Sequence, residues 1–342
     1  MKTKIKTPYF WSILTSLLIL AVVLSYFYIG KTKPSNNDVE AVVEDKSIKE
    51  IELLLKKGWN IDTRGYFNDT SLIVAAARGK IKKVKFFLEH GADINAVNMV
   101  GRTALMRATV NKKFEMIELL LKKGASINSL DNDKTSALLY IYTIPTVDIS
   151  SKDKSKLVNI LLKYGADVNI PNKYGYTPFM LAVGGLDQID KHKISVIENL
   201  LQHGADINAI DIYGGTSLMF ASSVWRGSTE VVKLLLEQNI DINISDKEGK
   251  TALIHASGTP NEKTLEVLLK NKAKVNFRDK EGKTALMHAA SNIYNTKNIE
   301  TLLRFGADKT LKDNSGKTAF DYIKKDTNML KEKEKFLKIL AI

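Results

Sequence analysis

Two short phrases recur along this 342-residue chain on one shared, irregular rhythm. The first is HGADIN, written letter for letter at His90–Asn95 and again at His203–Asn208. Its relatives are KGWNID (57–62), KGASIN (123–128), YGADVN (164–169), QNIDIN (238–243), NKAKVN (271–276) and FGADKT (305–310). Their second positions are separated by 33, 33, 41, 39, 35, 33 and 34 residues. The second phrase reads NDTSLIVAA (68–76), GRTALMRAT (101–109), DKTSALLYI (133–141), GYTPFMLAV (175–183), GGTSLMFAS (214–222), GKTALIHAS (249–257), GKTALMHAA (282–290) and GKTAFDYIK (316–324). Its Thr or Ser repeats with the same separations, 33, 33, 41, 39, 35, 33 and 34. Two phrases on one beat imply an array of small stacked units. No single unit of this size buries enough apolar surface to be stable alone, so neighbours must supply each other's core.

The residue types suit a helix–turn–helix unit. Thr103 stands where its hydroxyl caps a first helix, accepting a bond from an early backbone N–H. Leu105, Met106 and Ala108 then put apolar atoms on one helix face. Small residues at Ala75, Ala76, Ala108, Ala182, Ala221, Ala256 and Ala289 allow close approach of adjacent units. The second helix reads VKFFLEHG, MIELLLKKG or VVKLLLEQN, leucine-rich on one face and charged on the other. Gly91 of HGADIN ends that helix where the backbone must turn left-handed, which glycine does without a Cβ penalty. Asn239 and Lys272 replace it in two units, and Lys272 is expected to be strained by about 1 kcal/mol. Asp93 and Asn95 have short side chains suited to bonding turn backbone.

The pattern resembles the ankyrin repeat, whose signature runs G-x-T-P-L-H-x-A-A and later L-L-x-x-G-A-D-x-N. GYTPFMLAV and HGADIN match it best. The signature's histidine is replaced by Ile73, Met106, Leu139, Met180, Met219, Ile254, Met287 and Asp321, and its proline survives only as Pro178. The resemblance implies an all-α repeat solenoid of helix–turn–helix units with short hairpin loops. It covers residues 38–342 as about nine units, at approximately 38–65, 66–98, 99–131, 132–172, 173–211, 212–246, 247–279, 280–313 and 314–342. Both ends should carry caps. The first unit lacks the second phrase, and the last ends in MLKEKEKFLKILAI (Met329–Ile342), where Phe336, Leu337, Ile339 and Leu340 should dock inward.

Ahead of the array, residues 8–30 hold no charged side chain over 23 positions. A helix of that length spans about 35 Å, enough for a bilayer core of roughly 30 Å. Tyr9, Phe10 and Trp11 at one end and Tyr26, Phe27 and Tyr28 at the other sit at interfacial depths. The reading is a short basic tail (1–7), one transmembrane helix or signal anchor (8–30), a polar linker (31–37) and then the array. Lysines flank both ends almost equally, and the tail's charge favours an N-terminus inside with the repeats outside, or periplasmic. The alternative is a signal peptide cleaved near Ser25, which would release a secreted soluble factor. No A-x-A motif ends the apolar run, and Val23-x-Ser25 is a weak substitute.

Chemistry leaves little trace. The chain has no cysteine, which removes disulfides, thiol catalysis and thiolate metal sites. Its net charge is +13, of which five lysines in the first 33 residues supply the excess, leaving +8 mixed with acids over the rest. That distribution describes a solvated surface, and no nucleic-acid partner is expected. No His has the i, i+4 partner of a zinc helix, and there is no phosphate-binding glycine loop. His90 and His203 precede a helix-ending glycine, where positive charge suits the helix dipole. His255 and His288 occupy equivalent positions in successive units, about 8–10 Å apart, too wide for one metal. No enzyme activity, cofactor, metal or small-molecule substrate is expected.

The expected partner is another protein, as yet unidentified. In arrays of this resemblance the loop tips and first helices line a concave binding face. The tips carry Tyr66, Phe67, Val100, Tyr174, Tyr176 and Tyr213, residue types that dominate many interfaces. The bland alternative is that these rings pack on their neighbours' tips. The later tips, with Lys247, Glu248, Lys250, Lys280, Glu281 and Lys283, are simply charged. Three units are long, at Ile144–Lys154, Gly184–Lys193 and Ser222–Thr229. Their extra residues should fall between first and second helix, as neutral loop growth or as a ledge for a partner.

Overall fold

The computed structural model describes residues 39–143, 149–184, 190–223, 229–238, 240–291 and 296–323. Over these residues helices alternate in pairs, from Val39–Glu44 and Ile48–Lys56 through Ala285–Ala290 and Thr296–Arg304. Each first helix packs on the first helix of the next unit, giving an unbroken row. Second helices form another row alongside, with Ser151–Lys163 against Lys191–Gln202 and Glu262–Lys270 against Thr296–Arg304. The segment 8–30 and the closing stretch Met329–Ile342 lie outside the described residues. Among the described residues no helix is long and apolar enough to cross a membrane.

The first helices are short because they are buried nearly all round. In Ser71–Arg78 every residue from Ser71 to Ala77 is buried. Leu105, Met106 and Ala108 are each at most 1% exposed, and the small residues Ala75, Ala76, Ala221, Ala256 and Ala289 are wholly buried. A helix with no solvent face needs neighbours on several sides, and stacking supplies them. Threonine caps start these helices. Thr103 Oγ1 accepts from Met106 N at 3.3 Å, and Thr70, Thr177, Thr251 and Thr284 repeat the bond.

The second helices end as a Schellman turn requires. After Ile81–Glu89, Gly91 adopts φ +84°, Gly91 N donates to Leu88 O, and Ala92 N donates to Phe87 O at 3.0 Å. Nothing lies within 4 Å of a Cβ built on Gly91, so conformation alone selects glycine there. Lys272 takes the same left-handed conformation at φ +68°. Replacing Lys272 by Gly should therefore stabilise the protein by about 1 kcal/mol, read as a rise in thermal or guanidinium midpoint. A neutral or destabilising result would mean that the lysine stem's packing outweighs the backbone strain.

The phrase after this turn joins one unit to the next. Asp93 Oδ1 accepts from Asn95 N within the turn. Asn95 Oδ1 then accepts from Ser126 N, in the equivalent turn of the following unit, at 2.8 Å. Asn128, Asn169, Asn243 and Asn276 make the same crossing bond to Asp167, Asp206, Lys274 and Asp308. The recurring Asn is thus a staple between copies, and a repeat needs it in each copy.

The long units depart from expectation in one respect. Their extra residues do not all lie between helices. The second helices Ser151–Lys163 and Lys191–Gln202 run 13 and 12 residues, against nine for Phe114–Lys122. Part of the added sequence is spent on another helical turn, because Ser150 and Asp190 provide new N-caps upstream of the usual start. Ser151 Oγ donates to Asp190 Oδ2, tying the two extended starts together. Residues 144–148, 185–189 and 224–228 lie outside the described residues.

Candidate functional site

The tips between units are built on a buried Asn or Asp. In the fourth tip Asn172 Oδ1 accepts from Tyr174 N at 3.0 Å and from Tyr176 N at 3.1 Å. Asn98, Asp131, Asp211, Asp246, Asp279 and Asp313 each accept two backbone N–H groups in the same i+2, i+4 pattern. One carboxyl or amide oxygen therefore fixes the whole turn, as Asx residues do locally. Six of the seven are at most 9% exposed, and Asp246 is only slightly more open.

Neighbouring tips are also joined directly, main chain to main chain. The carbonyls of Phe67, Val100, Asp133, Tyr174, Tyr213, Glu248 and Glu281 accept in turn from the N–H of Met99, Asn132, Lys173, Ile212, Lys247, Lys280 and Asn314, at 2.7–3.1 Å. This ladder sets the tips in one row. It also explains the tip glycines: a Cβ on Gly249 would lie 2.7 Å from Lys280 N, on the very group that bonds Glu248 O.

The second oxygen of most tip aspartates is engaged by the residue nine positions on, from the first helix. Asp131 Oδ2 accepts from the Tyr140 hydroxyl and Asp313 Oδ2 from the Tyr322 hydroxyl. His255 Nε2 lies 2.8 Å from Asp246 Oδ2, and His288 Nε2 lies 2.7 Å from Asp279 Oδ2. Burial pushes the His288 imidazolium down from its usual range, and Asp279 opposes that with a smaller upward pull. Burial, aided by Asp131, pushes the Tyr140 phenol well up. His255 and His288 are thus tied to their own tips. Among the described residues no group of three His, Asp or Glu side chains could hold a metal. His90 and His203 sit at helix ends, each with Nδ1 2.8 Å from a last-turn carbonyl, of Phe86 and Asn199.

The aromatic candidates divide. Tyr66 (49% exposed), Phe67, Val100, Tyr174 and Tyr213 (57%) lie open on the tip row. Tyr176 does not: it is half-buried, its ring edge-on to Phe220 of the next unit at 5.4 Å. There the ring packs on a neighbour because the tip turns its i+4 side chain inward, over the adjoining first helix. Nor do the open residues form one continuous surface. The third tip interposes Asn132 and Asp133, and Lys173 bonds Asp133 at 2.8 Å. Two apolar patches result, Tyr66–Phe67 with Met99 and Val100, and Tyr174 with Ile212 and Tyr213. Met99 (56% exposed), Ile210 (59%) and Ile212 are exposed apolar residues that an aromatic search passes over. Their alternation with the buried Asn98 and Asp211 was the available signal.

A family model described as ankyrin repeats (3 copies) matches residues 40–131, 148–246 and 218–313, more than half of the chain. A search of curated proteins found no match.

Proposed function

The chain belongs to the ankyrin repeat family, and on that premise we propose that it is a protein-interaction module, held at a membrane by residues 8–30, that binds a protein partner through its tips and concave face. The observation that carries the reading is the tip ladder, whose seven main-chain hydrogen bonds hold the exposed Tyr66, Phe67, Val100, Tyr174 and Tyr213 in one row. Rigid display of this kind limits the ordering entropy lost on association. The two apolar patches place Tyr66, Met99, Tyr174, Ile212 and Tyr213 where a partner can cover them. The reading assigns the chain no catalysis, cofactor or nucleic acid.

The anchor rests on the uncharged, aromatic-flanked run at 8–30. Its orientation, N-terminus inside and repeats outside or periplasmic, rests on the basic tail. Sequencing the N-terminus of the mature protein separates anchor from secreted factor: a start near Tyr26 sinks the anchor. Protease accessibility in intact cells reads the orientation.

The interaction reading predicts that Tyr66→Ala, Phe67→Ala, Tyr174→Ala and Tyr213→Ala together leave the fold intact and weaken capture of partners by at least tenfold. A loss of about 2 kcal/mol at one hot-spot residue already suffices. Full-length protein in mild detergent, compared with wild type by quantitative pull-down, reads this. Unchanged recovery with an unchanged melting curve rejects the tips as the binding face. Tyr176 is left out of the set because its half-buried ring also supports the next unit.

A further inference from the structure

The repeats supply their own internal comparison, and the fifth tip fails it. Five tips are built on aspartate: Asp131, Asp211, Asp246, Asp279 and Asp313. In four of them the residue nine positions on caps the second oxygen with a hydroxyl or an imidazole. At the fifth tip that position is Phe220, which has no donor. Its ring instead meets Tyr176 and lies against Gly184, where a Cβ would come within 2.9 Å of Phe220 Cδ1. Asp211 is 7% exposed. Its Oδ1 accepts from Tyr213 N at 2.7 Å and Gly215 N at 2.8 Å, and Oδ2 has no donor among the described residues.

A second difference opens the same place. The slot four residues after the tip aspartate or asparagine holds Arg102, Thr135, Tyr176, Lys250, Lys283 or Lys317 in other tips. In the fifth it is Gly215, and a Cβ there would stand 2.9 Å from Asp211 Oδ2. The result is an open groove of about 190 Å³ lined by Asp211, Tyr213, Gly215, Met219, Phe220 and His255, together with Ser223 and Asp246. An accessible carboxylate oxygen of the largely buried Asp211 thus faces a groove with apolar and aromatic walls, where each of the four other aspartate tips supplies its own donor.

We propose that this groove takes a lysine side chain from the protein partner. A lysine stem suits Met219 and Phe220, and its ammonium can donate to Asp211 Oδ2 while the Tyr213 ring lies at the rim for a cation–π contact. Oδ1 of Asp211 already accepts two backbone N–H groups, so the bidentate fork that favours arginine on carboxylates is not available. A point charge with rotatable donors fits better. The proposal rests on the interaction reading above and adds the chemistry of one contact to it.

The test uses the full chain in detergent with its methionine methyls labelled, following Met219 by NMR. The probe is the peptide acetyl-Gly-Lys-Gly-amide, compared with its Gln and Arg counterparts. A saturable Met219 shift with the Lys peptide is expected, with the Gln peptide inert and the Arg peptide weaker. Asp211→Asn should weaken the Lys peptide at least about tenfold, a loss of some 1.4 kcal/mol. That variant keeps the turn, since Asn98 and Asn172 make the same backbone bonds. Gly215→Lys, which fills the slot as Lys250 and Lys283 do, should block the peptide as well. No saturable shift, an equal response to the Gln or Arg peptide, or an unaltered affinity in Asp211→Asn overturns the proposal. If the peptide fails while the tip variant still loses its partners, the groove falls and the interaction reading stands. If the tip variant keeps every partner, the interaction reading falls and the groove's role with it.

Discussion

Gly249→Ala should destabilise the array by about 3 kcal/mol, and Gly91→Ala by about 1 kcal/mol, although both glycines have positive φ. Two separate costs make the difference. At φ +77° an alanine at 249 bears the left-handed penalty of roughly 1–2 kcal/mol. Its Cβ would also stand 2.7 Å from Lys280 N and 3.1 Å from Asp279 Cα. Both are backbone atoms of the next tip, so relief requires the two units to separate. Overpacking of that kind adds about 1–3 kcal/mol. Gly91 faces open space and bears only the first cost. Repeat arrays depart from two-state unfolding, so one melting temperature will understate the effect. Amide exchange is the sharper reading. Lys280 N–H, bonded to Glu248 O at 3.0 Å, should lose protection in Gly249→Ala and keep it in Gly91→Ala. Equal losses in both variants would show that tip contact adds nothing beyond conformation.

The contrast between these glycines marks how far sequence alone reaches. Positive φ at Gly91 and strain at Lys272 follow from position in a helix-stop phrase, because that demand is local. The threonine caps and the buried alanines were legible for the same reason. Tip glycines such as Gly101, Gly175 and Gly249 look no different in sequence, yet they are also constrained by the next unit's backbone, 30 or more residues away. The Asn of HGADIN behaves likewise. A turn-bonding role was visible, but its acceptor serves Ser126 N in the following copy.

The site was legible as a set of tips and not as a set of contacts. Exposure of Tyr66, Phe67, Tyr174 and Tyr213 follows from their place between Asx and Gly in a turn. The inward turn of Tyr176 depends on Phe220, 44 positions later, and no local pattern announces it. His255 and His288, compared with each other as equivalents in stacked units, belong instead to Asp246 and Asp279. A signal was present: the separation of nine recurs at Asp131–Tyr140, Asp246–His255, Asp279–His288 and Asp313–Tyr322. Polar residues that keep step with one another at fixed offset across units point to a bond within the unit. The break in that series at Asp211–Phe220 is what singles out the fifth tip.

Asp279→Ala is expected to cost about 3 kcal/mol and Asp279→Asn about 1 kcal/mol. Asp279 is 7% exposed and holds three donors: Glu281 N at 2.9 Å, Lys283 N at 2.8 Å and His288 Nε2 at 2.7 Å. Alanine leaves all three without their acceptor, and each such loss costs roughly 1 kcal/mol or more. Asparagine keeps both backbone bonds, as Asn172 does, and turns an amide N–H₂ toward His288, whose neutral ring can accept. The histidine adds a pH dependence with a definite sign. Burial lowers the folded-state pKa of His288 below its ordinary value of 6.5. The unfolded chain then binds the proton more readily, so stability falls as pH drops through that ordinary value toward the folded one. Between pH 7.5 and 5.5 the wild type should lose stability, by guanidinium titration, more steeply than His288→Gln. The bond to Asp279 opposes this, because a carboxylate favours the charged ring, and Asp279→Asn removes that opposition. The Asn variant should therefore fall off more steeply with acid than wild type. A flatter profile in Asp279→Asn would mean that the protonation of His288 does not set the acid dependence of the folded array.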